Sequence, residues 1–221
     1  MSWSSGKDSA LALHVARTEL GIDVTGLLTT VNESFDRVAM HAVRRQLLEA
    51  QAERLGLALH CVELPSPCPN EIYEERMAKA VAAAQADGIT HMIFGDLYLE
   101  DIRGYREEML AGTGITPVFP LWQRPTAALA REMCTRGIRA YITCVDPRVV
   151  AREFAGRAFD AALLDELPSH IDPCGENGEF HSFVWDAPGF ASPIDVVTGE
   201  VVERDGFVFA DVLPAAQPLP R

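Results

Sequence analysis

The chain has 221 residues, of which 48% are apolar, and this supports one large domain or a main domain with a smaller appendage. The net charge of −13 and the isoelectric point of about 4.8 argue against binding along a nucleic-acid backbone, which needs a basic surface. Between residues 160 and 211 there are twelve acidic residues and one basic residue, Arg204. This segment would attract a cationic partner or serve as a solvated acidic surface.

The cysteines and the apolar segments predict the cellular compartment. The five cysteines are odd in number, widely spread and without a C-x-x-C pair, so neither a disulfide framework nor a zinc site is indicated. The sequence contains no secretory leader pattern and no apolar run of membrane-spanning length. A cytoplasmic protein with reduced thiols and without a membrane partner is expected.

Apolar periodicity and turn residues predict alternating helices and strands through most of the chain. Helices are expected at 9–20, 39–55, 71–86, 103–110 and 126–137. Strands are expected at 24–31, 57–64, 91–97, 116–122 and 138–145. The first strand is a continuous apolar and β-branched run, typical of a strand that is buried on both faces. This alternation predicts an α/β fold with a doubly wound, parallel, Rossmann-like sheet.

The pattern changes near 123–126, where a boundary would divide the chain into domains 1–124 and 125–221. A further helix is expected at 152–167 and a short strand at 181–187. Residues 195–212 alternate around turn signals as a hairpin does, and the last residues, 214–221, are expected to fray. The second domain is therefore expected to be a small α+β subdomain.

The stretch SSGKDS, residues 4–9, stands where a phosphate-binding loop would run into the first helix. The common loop G-x-x-x-x-G-K-[ST] is absent, because only Gly6 precedes Lys7 and Asp8 follows it. Backbone N–H groups in such a turn form an anion-binding nest, and the helix N-terminus adds about half a unit of positive charge. Asp8 would repel a bare phosphate, so it is interpreted as a magnesium ligand or a helix cap. The alternative is an ordinary helix capped by Ser and Asp.

SSGKDS resembles the S-G-G-x-D-S signature of the PP-loop pyrophosphatase family, with Ser5 in place of the first glycine. The serine predicts that this position does not have a positive φ. The resemblance implies that the loop holds the pyrophosphate split from ATP and that Asp8 helps to hold Mg²⁺. Two further candidates lie at the carboxyl end of a predicted strand, where open α/β sheets bind ligands. The candidate nucleotide-binding residues are Ser4, Ser5, Gly6, Lys7, Asp8, Ser9, Gly95 and Asp96.

A second informative stretch is DPCGENGEFHSFVWDAPGF, residues 172–190. Within ten residues it brings together carboxylates, an amide and an imidazole, with glycines that allow sharp turns between them. The polar side chains are Asp172, Glu176, Asn177, Glu179 and His181. Aromatic residues follow at alternating positions, as they also would in a turn that leads into a half-buried strand.

Together with FGDLYLEDIRGYREEML at 94–110 and PLW at 120–122, this stretch resembles the diphthine–ammonia ligases and their bacterial relatives. The similarity runs from residue 4 to about 194, and CGENGEFH is its most specific part. The family implies that ATP adenylates a carboxylate, which ammonia then converts to an amide; in archaea and eukaryotes the carboxylate lies on a modified histidine of elongation factor 2. The Ala- and Arg-rich composition suggests a bacterial-type member, and bacteria are not expected to carry diphthamide. The carboxylate substrate is therefore left as a modified protein side chain or a small molecule.

The resemblance also implies roles for individual residues. Lys7 would hold the bent triphosphate, with ATP and Mg²⁺ as the bound groups. Glu176, Glu179 and His181 are candidates to bind ammonium and to remove its proton, because an unshifted imidazole titrates near neutrality. Asn177 and Trp185 are the candidate substrate contacts. The chain has no glutaminase region, so free ammonia or ammonia from a partner is expected. A homodimer is a further possibility that the sequence does not decide.

Two other functional classes remain as alternatives. A PP-loop enzyme that modifies tRNA is disfavoured by the acidity and by the lack of paired cysteines. A non-catalytic module that senses ATP or AMP would use the same loop without turnover. A central strand usually needs about five residues, and three precede the loop. The natural chain is therefore expected to begin earlier, with an apolar run.

Overall fold

The computed structural model describes residues 1–33, 37–38 and 43–215. Its α-helices are α1 Lys7–Thr18, α2 Arg45–Leu55, α3 Asn70–Ala86, α4 Glu100–Leu110, α5 Thr126–Thr135 and α6 Ala161–Glu166. Its strands are β1 Gly26–Asn32, β2 Arg37–Val38, β3 Ala58–Leu64, β4 His91–Ile93, β5 Thr116–Val118, β6 Arg139–Val145, β7 Phe180–Asp186, β8 Val196–Arg204 and β9 Phe207–Pro214. The start of the second predicted helix, 39–42, and most of the predicted tail, 216–221, lie outside the described residues.

The N-terminal half confirms the predicted α/β alternation and contains parallel strand pairs. Strand β1 pairs with β3 in parallel, and β4 pairs with β5 in parallel. The first residues join these two pairs, because the Ser2 amide donates to the Ile93 carbonyl (2.8 Å) and the Trp3 amide donates to the Leu28 carbonyl (2.7 Å). The chain ahead of the SSGKDS loop therefore lies between β1 and β4.

Strand β1 differs from the sequence prediction in its burial. Leu27, Thr29 and Val31 are buried, whereas the alternating residues between them are partly exposed. The expectation of burial on both faces is therefore wrong for this strand. Its continuous apolar run includes Leu28, which packs against two smaller clusters of apolar residues beside the main core.

The C-terminal half contains an antiparallel sheet with the order β7-β6-β9-β8. The predicted hairpin is confirmed as β8 and β9, which turn at Asp205 and Gly206, both with positive φ. The predicted single helix at 152–167 is wrong. A short 3₁₀ turn at Arg152–Phe154 is separated from α6 by Gly156, whose φ of +84° ends the turn. Helix α6 then starts anew, because Asp160 accepts the Leu163 amide at 2.9 Å.

The largest hydrophobic core includes residues from both halves of the chain. Trp3, Leu11 and Leu27 from the N-terminal half belong to the same cluster as Phe183 and Val184 of β7. Helix α1 therefore lies close to β7, and this packing brings the start of α1 beside the loop that leads into β7. Among the described helices, none combines the length and the apolar character of a transmembrane span.

Candidate active site

A pocket of about 250 Å³ lies where the start of α1, the end of β4 and the segment before β7 meet. Both sequence motifs therefore contribute to one site, although more than 160 residues separate them along the chain. The acidic and basic side chains that line the pocket are Lys7, Asp8, Asp96, Arg106, Glu176 and His181. Ser4, Ser9 and Gly95 also line it.

Serine hydroxyls hold the loop at residues 4–9 together. The Ser4 and Ser9 hydroxyl oxygens are 2.7 Å apart, and Ser9 Oγ also accepts the Ser4 amide at 3.2 Å. Ser4 Oγ accepts the Gly6 amide at 3.3 Å. From outside the loop, Ser182 Oγ accepts the Lys7 amide at 3.2 Å. Helix α1 begins at Lys7, two residues earlier than predicted, so the positive end of the helix reaches the pocket.

Ser5 contradicts the expectation for its backbone. Its φ is +68°, in the left-handed region that favours glycine, so the glycine in the family signature has a conformational reason. Ser5 is fully buried, and its hydroxyl has no hydrogen-bond partner. Its carbonyl accepts the Val184 amide at 3.0 Å and the Gln51 side-chain amide at 3.0 Å. These contacts hold a conformation that a serine would otherwise avoid.

Lys7 is 1% exposed and contacts both halves of the protein. Its ammonium donates to Asp8 Oδ2 at 3.0 Å and to the Cys174 carbonyl. It also lies 5.0 Å from the centre of the Phe180 ring and 5.5 Å from that of Phe159. Burial alone would lower the pKa of Lys7, but the charge of the Asp8 carboxylate beside it raises the pKa overall. Lys7 therefore carries a positive charge at neutral pH.

Asp8 has one carboxylate oxygen engaged and one unengaged. Oδ2 accepts from Lys7, whereas Oδ1 is buried without a hydrogen-bond partner. The interpretation of Asp8 as a helix cap is wrong, because the N-cap residue is Gly6 and has no side-chain capping bond. Among the described residues, no group of three or more His, Cys, Asp and Glu side chains is arranged to hold a metal. Oxygen donors from a bound phosphate would have to complete a magnesium site at Asp8.

Gly95 and Asp96 follow β4 and face the start of α1. A Cβ atom at Gly95 would lie 3.1 Å from both the Asp8 carbonyl carbon and the Ser9 amide nitrogen, so this position needs a glycine. Burial raises the pKa of Asp96, although Arg106 opposes this effect. The Arg106 Nε atom lies 3.9 Å from Asp96 Oδ2 and makes no hydrogen bond. Arg106 is therefore a pocket cation with unused donor capacity.

Asp172 organises the acidic loop at 172–179. Its carboxylate accepts the amides of Cys174 and Glu176, both at 3.1 Å, and the Tyr98 hydroxyl at 3.2 Å. Burial and the neighbouring Asp172 carboxylate raise the pKa of Tyr98 to about 12. Gly175 is required for a different reason. Its φ is +70°, and a Cβ atom there would lie 2.8 Å from the Phe180 carbonyl oxygen.

Glu179 and Asn177 bind each other and do not line the pocket. The Glu179 carboxylate accepts the Asn177 amide and the Asn177 side-chain amide, both at 2.9 Å, and the Asp172 amide at 3.2 Å. Glu179 is 6% exposed. These contacts give it a structural role in the loop.

Glu176 and His181 both line the pocket, but their pKa values are shifted in opposite directions. Burial, together with the charges of Asp8 and Asp96, raises the pKa of Glu176 to about 7. Its Oε1 accepts the Leu97 amide at 2.7 Å. Burial and the charge of Lys7 lower the pKa of His181 to about 4. The expectation that His181 titrates near neutrality is therefore wrong, and Glu176 has that property instead.

Trp185 lies outside the pocket lining. Its ring lies 6.1 Å from that of Tyr141, and its indole N–H is buried without a hydrogen-bond partner. Sequence reasoning also missed two buried residues that hold the loop, Ser182 and Gln51. Gln51 had a detectable signal, because it is a polar residue within the otherwise apolar buried stripe of α2.

The fold and the pocket define an α/β protein in which a serine- and lysine-bearing loop at a helix N-terminus faces an acidic loop. Two sequence models match this chain: the diphthamide synthase N-terminal domain over residues 1–117 and the diphthamide synthase C-terminal domain over residues 125–211. The chain belongs to the diphthamide synthase family.

Several relatives carry the name diphthine–ammonia ligase. The Homo sapiens protein is 33% identical over 166 residues, which cover 71% of this chain and 61% of that protein. The Mus musculus protein is 25% identical over 164 residues, with the same two coverages. The Danio rerio protein is 25% identical over 235 residues, which cover 95% of this chain and 90% of that protein. The chain thus matches less than two thirds of the length of the human and mouse proteins.

Proposed function

We propose that this protein is an AMP-forming, ATP-dependent carboxylate–amine ligase that resembles diphthine–ammonia ligase. It would adenylate a carboxylate, release pyrophosphate and form an amide with ammonia. The observation that carries this proposal is the meeting of Lys7, Asp8 and Glu176 in one pocket at the start of α1. The charged Lys7 and the Asp8 carboxylate, which has an unengaged oxygen, suit the activation of the substrate by ATP. Glu176, which titrates near neutrality, suits the reaction with ammonia.

The start of α1 would hold the triphosphate of ATP. The helix N-terminus and the Lys7 ammonium favour anions. The walls of the site come from Ser4 and Ser9 on one side and Gly95 on the other. Lys7 would stabilise the negative charge that develops on the departing pyrophosphate. Arg106 has unused donor capacity in the same pocket and suits either a phosphate or the carboxylate of the acyl substrate.

Asp8 and Asp96 line the same pocket as the start of α1, and Asp8 fits a magnesium ligand. Its buried Oδ1 has no hydrogen-bond partner, which suits an oxygen that is completed by a cation. Mg²⁺ is commonly held by one or two carboxylates together with substrate phosphates, so a larger protein cluster is not needed. When bound, the ion would neutralise charge on the phosphates. Asp96, whose pKa is raised by burial, would face the same region.

Glu176 is our candidate for the group that binds ammonium and accepts its proton. A carboxyl group with a pKa of about 7 is suitable for general base catalysis at neutral pH. The lowered pKa keeps His181 neutral, so we assign it a polar contact to substrate or nucleotide and not the proton transfer. We assign Glu179 and Asn177 to positioning Glu176 through the acidic loop. Asn177, Glu179 and Trp185 do not line the pocket, so their positions do not support direct contact with the substrate.

The remaining parts of the proposal concern the setting of the reaction. We propose a division into an ATP-binding domain, 1–124, and a substrate-binding subdomain, 125–221, with the parallel strands forming one doubly wound sheet. The acyl substrate would be a modified protein side chain, as diphthine is, or a small carboxylate. The acidic surface disfavours a nucleic-acid partner. A cytoplasmic location, a bacterial-type membership and a homodimer stay predictions.

The proposal is tested by following ATP turnover. The purified protein is incubated with ATP, Mg²⁺, ammonium chloride and two acyl sources: diphthine-bearing elongation factor 2 and a metabolite extract. We expect AMP and pyrophosphate to appear in equal amounts only when an acyl source is present. ATP binding without pyrophosphate release from any source would favour a nucleotide sensor. Tight tRNA binding in a filter assay would favour a tRNA-modifying enzyme, and glutaminase activity would contradict the use of free ammonia.

A further inference from the structure

Gln51 is a fully buried polar residue that lies outside the pocket and contacts two separate segments of the protein, residues 3–5 and strand β7. Its side-chain nitrogen donates to the Ser5 carbonyl at 3.0 Å and to the Val184 carbonyl at 2.6 Å. Its side-chain oxygen accepts the Trp3 indole N–H at 2.8 Å. Both N–H groups and the oxygen are engaged, so this amide has one defined orientation.

The contact with Ser5 matters because of the backbone conformation at that residue. A serine in the left-handed region persists only when its surroundings hold it there. The Ser5 carbonyl belongs to the peptide group that supplies the Gly6 N–H, and Lys7 follows directly. A rotation of this peptide would move the first turn of α1, where the proposed phosphate site lies. Gln51 and the Val184 amide both bind that carbonyl and oppose the rotation.

We propose that Gln51 is a positioning residue that fixes the Ser5–Gly6 peptide and thereby shapes the loop for its anion. The identity of this anion, the phosphates of ATP, rests on the proposed function. Gln51 acts on the loop from two directions, because it also binds the Val184 carbonyl of β7. Two residues before Val184, Ser182 accepts the Lys7 amide. Helix α2, through Gln51, and strand β7, through Ser182 and Val184, thus hold the same loop, and Gln51 also binds β7 itself.

The experiment compares Gln51→Leu with Ser5→Gly and with the double variant. Leucine keeps most of the volume but removes all three hydrogen bonds. Glycine at position 5 adopts a positive φ without strain, so it makes the loop less dependent on Gln51. Gln46→Leu is the matched control, because Gln46 is exposed on the same helix. If Gln51→Leu does not fold, Gln51→Met replaces it, since its unbranched side chain follows the shape of glutamine and also makes none of the three hydrogen bonds.

Two measurements separate positioning from simple stabilisation. Calorimetry with MgATP and with inorganic pyrophosphate is carried out well below the unfolding temperature of each variant. We expect Gln51→Leu to weaken the binding of MgATP and of pyrophosphate about tenfold. A loss of this size corresponds to one or two hydrogen bonds that no longer order the loop. In the Gln51→Leu background, Ser5→Gly should restore about threefold of the lost affinity. Hydrogen exchange of the amides at 4–9 should rise in Gln51→Leu and fall again in the double variant.

Each result decides the inference. Gln51→Leu could lower the thermal stability and leave both the affinity for MgATP and the hydrogen exchange at 4–9 unchanged. That result would make Gln51 a structural residue and overturn the proposal. Loss of affinity that Ser5→Gly does not relieve would also overturn it, because the Ser5 backbone would not be the point of action. If the wild type binds neither MgATP nor pyrophosphate, the proposed function fails. The exchange data would then still decide whether Gln51 orders the loop.

Discussion

The two loops that meet in the pocket are held in place in different ways. The N-terminal loop, 4–9, has hydrogen bonds between its own serines, but it also depends on other segments for its shape. Its Ser5 carbonyl is bound by Gln51 and by the Val184 amide, and its Lys7 amide is bound by Ser182. The acidic loop, 172–179, is held largely by its own carboxylates, because Asp172 and Glu179 accept amides from within the same few residues.

This difference shows how to interpret a cluster of acidic residues in a sequence. Of the acidic side chains in the second loop, Asp172 and Glu179 are engaged in holding the loop, and Glu176 lines the pocket. A motif that looks like several catalytic acids can therefore be one candidate acid on a scaffold of structural carboxylates. In the first loop the candidate chemical groups are local, whereas an essential part of the scaffold comes from α2 and β7.

Replacing Lys7 should have the largest effect on activity. Lys7→Met keeps an unbranched side chain among the two phenyl rings but removes the charge. Since removal of one electrostatic contact to a developing anion typically costs about 100-fold or more, we expect pyrophosphate release to fall by about 100-fold. Lys79→Met is the control, because Lys79 is exposed and pairs with Glu75. Equal activities of the two variants would show that the first loop does not supply the charge for ATP cleavage.

Replacing Glu179 should test the scaffold of the second loop. Glu179→Ala leaves three donors in a partly buried loop without their acceptor, so we expect the free energy of unfolding to fall by about 1 to 2 kcal/mol. The measurement is denaturant unfolding, with the exposed Glu200→Ala as the control. An unchanged stability together with a large loss of activity would return Glu179 to the group of catalytic candidates.

Replacing Glu176 should give a smaller effect with a distinct pH dependence. Glu176→Gln still accepts from the Leu97 amide but cannot accept a proton. We expect the amidation rate at pH 8 to fall about tenfold, less than general bases usually contribute, because part of the ammonia is already unprotonated. The pKa of Glu176 is raised to about 7, so its carboxylate form is lost as the pH falls through 7. The wild-type rate should therefore fall below pH 7, where the two proteins converge.

A pH profile of wild type and variant, each at saturating ATP, measures this effect. Parallel profiles would show that another group sets the pH dependence. His181→Gln provides the comparison within the same pocket. The pKa of His181 is lowered to about 4, so its replacement should leave the profile between pH 6 and 8 unchanged in shape.

Much of the site could be predicted from the sequence because it depends on short motifs. SSGKDS and CGENGEFH identified the two loops, and the βα alternation placed Gly95 and Asp96 at the carboxyl end of a strand, beside the pocket. Features that depend on distant burial were not predictable in this way. The pKa of His181 is lowered by burial and by Lys7, which lies 174 residues earlier in the chain. The positive φ of Ser5 is maintained by contacts with α2 and β7.

The fold was predictable to a similar extent. Strong periodicity located most helices and strands to within a few residues, including the β8–β9 hairpin. The predicted helix at 152–167 failed because its apolar spacing suits a helix, but Gly156 takes a positive φ and the neighbouring Ala158 bridges to Tyr141 of β6. This tertiary pairing overrides the local helical preference.

The burial of Lys7 has a practical consequence for labelling. The chain contains two lysines, and the side chain of the other, Lys79, is 72% exposed on α3. Reagents that acylate lysine need an accessible, unprotonated amine, and Lys7 is enclosed and kept protonated by Asp8. Among the lysines, a dye or a solid support would therefore attach through Lys79 and leave the loop at 4–9 unmodified. The protein can be immobilised or labelled at one lysine without engineering.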